Sequence, residues 1–162
     1  MTTLALVLGL VVGPLVGYLL VPHRRLTWVL TALSVVAVLV VTMYPEARTP
    51  QPGCEFLLPT LRLGAVESIA NIILFIPPVL LAGVALRKPS LALAGGTVLS
   101  VLIELLQLAV PAFGRSCDTS DWITNTIGAV VGGVLAASAL TWHRSRTRRE
   151  AARPVRDAPS GD

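Results

Sequence analysis

Charge is scarce in this chain. Only 14% of its 162 residues are Asp, Glu, Lys or Arg, where an ordinary soluble domain carries about 25%. The apolar share is 54% and the mean hydropathy +0.75, more than a core of this size can hide, because much of a small domain stays exposed. A soluble enzyme and a disordered chain are both argued against. Cysteine is nearly absent as well: two residues do not make a disulfide-dense secreted module, and there is no Cys/His cluster to hold zinc. No phosphate loop or dinucleotide fingerprint occurs, so no cofactor is implied, and no internal repeat suggests a duplicated transporter. The net charge of +4 does not mark a nucleic-acid face, because six of the 13 basic residues are arginines after His143.

What is present is a series of long apolar runs. Each is of the length needed to cross a hydrocarbon core, roughly 17–25 residues per helix, and only helices or closed barrels satisfy their backbone there. The runs predict an all-α polytopic membrane bundle over residues 1–143, with helices at about 4–22, 26–43, 67–86, 90–110 and 121–142. Outer loops fall at 44–66 and 111–120, and a basic, irregular cytoplasmic tail at 144–162. The first run has no basic residue before Arg24 and a poor cleavage site at Val21-Pro22-His23, so it reads as a retained helix and not as a signal peptide. Its Gly9, Gly13 and Gly17 give it a smooth packing face. Arg24 and Arg25, Arg87 and Lys88, and the arginine tail share one side of a five-crossing chain. The positive-inside rule then puts the amino terminus outside and the carboxyl terminus in the cytoplasm. Trp28 and Trp142 mark the inner interface, and Tyr44 and Trp122 the outer one.

This topology gives the polar residues a depth. Glu67 lies near the outer interface and Asn71 about 6 Å deeper, while Gln107 and Glu104 lie about 6 and 10 Å below the outer end of the fourth helix. Asp121 and Asn125 open the fifth helix, after a turn carrying Arg115 and Asp118. Ser100, Glu104 and Gln107 share one helix face, as do Asp121, Asn125, Gly128 and Gly132. Below Asn71 and Phe75, Pro77-Pro78 should break or kink the third helix, since neither proline offers an N–H. An ionisable residue inside a membrane helix is a functional-site hypothesis by default. The alternative is an interhelical clamp, whose hydrogen bonds contribute only about 0.6–2 kcal/mol each.

Asn71-x-x-x-Phe75-x-Pro77, Ser100-x-x-x-Glu104-x-x-Gln107 and Arg115-x-x-Asp118-x-x-Asp121-x-x-x-Asn125-x-x-Gly128-x-x-x-Gly132 together resemble the VanZ-like membrane proteins. The resemblance runs from about Val41 to Leu140 and leaves the first helix and the tail outside it. It implies a small helical protein of the bacterial plasma membrane, from a family whose founding member is associated with low-level resistance to the glycopeptide teicoplanin. It implies no settled catalytic mechanism.

Two function classes follow. In the leading one, an outer-leaflet pocket formed by Glu67, Asn71, Ser100, Glu104, Gln107, Arg115, Asp118, Asp121 and Asn125 recognises a lipid-linked envelope precursor, a lipid head group or an amphiphilic antibiotic. Arg115 would hold a phosphate or carboxylate through paired N–H donors. In the other, the same place is a hydrolase or transferase site, with Glu104, Asp118 and Asp121 as the acid, base or cation-holding groups. No nucleophile is evident, since Ser68 and Ser120 have no histidine in reach. A channel or transporter is least favoured, because polar residues do not continue through the inner leaflet. The two cysteines, Cys54 and Cys117, both fall in outer loops, where oxidation is permitted, and are expected to form a disulfide. Two free thiols are the alternative. The bond would draw the long loop over the polar pocket as a lid.

Overall fold

A computed structural model describes residues 2–45, 54–55, 66–110 and 117–152. The described residues form five helices: α1 (Thr2–Leu20), α2 (Arg24–Thr42), α3 (Val66–Leu86), α4 (Pro89–Ala109) and α5 (Thr119–Ala151). Among the described residues, four of these, α2 to α5, are long and apolar enough to cross a membrane. Side chains of α1 are described from Val11 onward, and Val11–Leu20 is apolar as well. Leu26, Val29, Leu33, Val36 and Val40 of α2, and Leu91, Val98, Leu102 and Leu105 of α4, stay exposed on the outside of the bundle. That is the surface a lipid-facing helix requires.

The core is built on α3 and α5. Ile72, Ile76, Leu80 and Val84 recur every four residues on α3 and pack against Leu135, Ala136, Ala139 and Leu140 of α5. On its other side, α3 sets Phe75 between Val38 of α2 and Ile103 of α4, and Val79 against Ala92 and Ala129. The helix axes meet closely because α5 offers glycine where α3 offers backbone. A Cβ on Gly128 would collide with the Ile72 carbonyl oxygen, and one on Gly132 would sit 2.7 Å from that of Ile76. The Gly-x-x-x-Gly groove expected on the fifth helix is therefore filled by α3. Gly13 and Gly17 of α1 likewise lie against Leu135 and Ala139 of α5.

Short turns set the order of the helices. Thr27 of α2 donates its hydroxyl to the Leu20 carbonyl at 3.0 Å, tying the two helix ends together where both are buried. Between α3 and α4 the chain reverses at Arg87, which adopts φ 55°, a left-handed conformation costing about 1–2 kcal/mol in a residue with a side chain. At the opposite end, a two-residue parallel pair, β1 (Cys54–Glu55) and β2 (Cys117–Asp118), aligns Cys54 with Cys117.

Two expectations are corrected. First, of the break or kink expected at Pro77-Pro78 the break is absent, since α3 runs on to Leu86. Membrane helices tolerate the lost N–H groups because neighbouring helices hold the segment in place, and α3 is packed against every other helix. Second, residues 144–151 are helical instead of irregular. They inherit a helix already nucleated in the span, so only propagation is required. Arginine is a good helix former, and Arg146 and Glu150 add an i,i+4 pair at 3.2 Å. The remainder of the expected tail, 153–162, lies outside the described residues.

Candidate functional site

The polar residues of the membrane helices gather at the end that carries the disulfide. On α4, Ser100, Glu104 and Gln107 occupy successive turns of one face, and all three are buried. On α5, Asn125 is 2% exposed. Its Nδ2 donates to Ser100 Oγ at 3.1 Å, joining α5 to α4. One turn outward, Asn71 Nδ2 of α3 donates to Asp121 Oδ1 at 2.8 Å, joining α3 to α5. Gln107 Nε2 donates to the Thr42 carbonyl at 3.0 Å, joining α4 to the last residue of α2. Four helices are thus linked by side-chain amides spread over about two turns, roughly 10 Å, of the bundle. Glu104 and Asp121 are both engaged in further interactions.

The sequence-derived residues sort clearly. Direct hydrogen bonds join Asn71 to Asp121 and Asn125 to Ser100, while Gln107 bonds the Thr42 carbonyl. Glu104 lies buried on the same α4 face, between Ser100 and Gln107. Glu67 is in the first turn of α3 and Asp118 in β2, but their side chains, like all of Arg115, lie outside the described residues. The sequence reading assigned no polar role to α2, and there Thr42 was missed. Thr42 belongs to the buried face of α2 with Thr27, Thr31 and Val38, but its hydroxyl donates to the Val38 carbonyl, and Gln107 meets only its backbone carbonyl.

Asn125 Oδ1 is fully buried and has no hydrogen-bond partner among the described residues. A buried carbonyl left in this state costs about 1–3 kcal/mol, so a donor brought to it is bound favourably. Among the described residues no cluster of His, Cys, Asp or Glu has the makings of a metal site.

Cys54 and Cys117 form the expected disulfide, with Cα atoms 4.5 Å apart across 63 residues of sequence. It fastens β1 directly to β2, which leads without a break into α5 and hence into Asp121 and Asn125.

A small bundle of apolar helices, buried amides collected at one end and a disulfide across that end define a helical membrane protein with a polar belt. The model of the VanZ/LLP1 family matches residues 15–141, and the chain belongs to that family. The match begins inside α1, so the first helix is only partly outside the family region, contrary to the narrower range expected. No curated protein and no solved structure shows significant similarity to the chain.

Proposed function

We propose that the polar end of the bundle recognises the polar part of an amphiphile, such as a lipid-linked envelope precursor, a lipid head group or an amphiphilic glycopeptide, at the outer leaflet of the bacterial plasma membrane. The observation that carries this reading is Asn125 Oδ1, a buried acceptor with no hydrogen-bond partner among the described residues, which an N–H or O–H donor would satisfy. Sugar hydroxyls and amide N–H groups are such donors. Asn71–Asp121 and Asn125–Ser100 hold the neighbouring amides in fixed orientations, and apolar helix surfaces adjoin them on the lipid side. In this reading Glu104, buried on the same face of α4 as Ser100 and Gln107, is part of the recognition surface. VanZ/LLP1 membership is compatible with envelope homeostasis and with antibiotic resistance.

The test is photocrosslinking in native membranes with a photoreactive lipid-linked precursor, comparing the wild type with N125V, D121N and S100A/N125V. Adducts on wild type that fall at least about tenfold in the variants, as expected for loss of 1.4 kcal/mol or more, support recognition. Undiminished labelling in all three, with lowered thermal stability, would reduce the belt to an interhelical clamp.

A further inference from the structure

The other end of the bundle carries a second feature, independent of the polar belt. Trp142, Ser145, Arg146 and Arg149 recur at i, i+3, i+4 and i+7 on α5, so they share one face. They line a cleft of about 400 Å³. Beside it, Tyr18 of α1 packs with its ring centroid 5.0 Å from Trp142 and 5.7 Å from His143. Arg146 Nε donates to Glu150 Oε1, and the guanidinium is held above its ordinary value first by that bond and then by the Tyr18 hydroxyl. A guanidinium has five N–H donors, so the Glu150 bond leaves others to face the cleft. Toward the membrane centre, Ser138 and Val134 continue the line above Trp142 at four-residue steps, and all three are exposed.

We propose that this cleft is a binding site for the phosphodiester of an anionic glycerophospholipid. Arg146 and Arg149 take the phosphate oxygens, and Tyr18 and Trp142 sit at the glycerol level. The acyl chains follow the exposed strip from Trp142 to Val134. A guanidinium pair matches phosphate oxygens through forked donors, while Tyr and Trp are the residues that settle at head-group depth. The lipid-facing strip decides the source: Trp142 and Val134 expose apolar side chains, and Ser138 turns its hydroxyl back to the Val134 carbonyl. Free phosphate would gain nothing from such a surface, whereas a lipid already lying in that leaflet meets the ring, the strip and the charges together. Arg144 and Arg148 are also exposed but point to the opposite face of α5, so they share the charge of the site without its geometry.

The experiment uses the full chain with Trp28 and Trp122 replaced by Phe, leaving Trp142 as the reporter, in nanodiscs of phosphatidylcholine. Quenching by brominated phosphatidylglycerol is compared with quenching by brominated phosphatidylcholine. The expected result is selective quenching by the anionic lipid, with the preference falling about fivefold for each arginine lost in R146Q and R149Q and holding in R144Q/R148Q. An equal fall in both pairs would show diffuse attraction to a basic helix and overturn the site. Absence of any preference in the parent protein would overturn it too. Glycerol phosphate is the last arm: if it abolishes the preference at concentrations matching the lipid, the ligand is a soluble phosphate and the lipid assignment fails.

Discussion

At the scale of single residues, Asn125 and Gly128 lie one helical turn apart and impose opposite demands. Asn125 needs a partner, and Gly128 needs none to be there. Because the Ile72 carbonyl occupies the space a side chain would need, G128A must push α3 and α5 apart at the centre of the core. We expect a loss of about 2–3 kcal/mol, in the range of overpacking elsewhere, read as a lower thermal midpoint in detergent. Gly95 is the control, since nothing lies within 4 Å of a Cβ built there. G95A should be neutral or stabilising by up to about 1 kcal/mol, the helix-propensity difference. For the polar pair, S100A and N125V should be strongly non-additive, because each removes the same bond. Additive losses in a double-mutant cycle would show that the two side chains act through separate contacts.

At the scale of elements, the disulfide joins a two-residue strand to the start of α5. Closing a span of 63 residues restricts the unfolded chain by about 4 kcal/mol in the chain-entropy model. That is an upper limit here, because helices unfolded from one another within a membrane remain helices and have less freedom to lose. C54S, C117S and the double variant should therefore lower the thermal midpoint by the same amount, each abolishing one bond. A double variant that loses the sum of the two would mean that the cysteines stabilise as separate packed side chains. The elements were also where the sequence was most readable. Uncharged runs near the length of a bilayer leave little choice but helices, and Ser100, Glu104 and Gln107 declared their common face by spacing alone. What escaped notice depends on contacts between elements. Thr42 acts through its carbonyl, which every residue has, so nothing in its side chain announced the Gln107 bond. A break at Pro77-Pro78 is what local propensity allows, because it takes no account of the helices that pack around α3. The continuation of α5 through residue 151 was hidden by arginines that mark a tail by composition and a helix by pairing.

At the scale of the whole molecule, the basic side chains among the described residues collect at one end and the buried amides and carboxylates at the other. Arg24 and Arg25 follow the α1–α2 turn, Arg87 and Lys88 the α3–α4 turn, and Arg144 to Arg149 the end of the α5 span. Contacts of Tyr18 with Trp142, and of Gly83 with Ala136 and Pro89, bring these three segments to one end. The opposite end holds Asn71, Gln107, Asp121 and the disulfide, and its described residues include no lysine or arginine. Two independent forces then favour one orientation. Basic segments are retained in the cytoplasm, and a disulfide persists where the compartment is oxidising. Inverting the protein would oppose both at once, carrying the arginines across the membrane and placing Cys54–Cys117 among cellular reductants. The expected topology is therefore five crossings with the carboxyl terminus in the cytoplasm. A green fluorescent protein fused after Asp162 should fluoresce and an alkaline phosphatase fused there should be inactive. Maleimide applied to intact cells after reduction should label Cys54 and Cys117 without entering the cytoplasm. Active phosphatase at the carboxyl terminus would reverse the orientation and move the polar belt to the inner leaflet, where a lipid-linked precursor would have to be met before its export instead of after it.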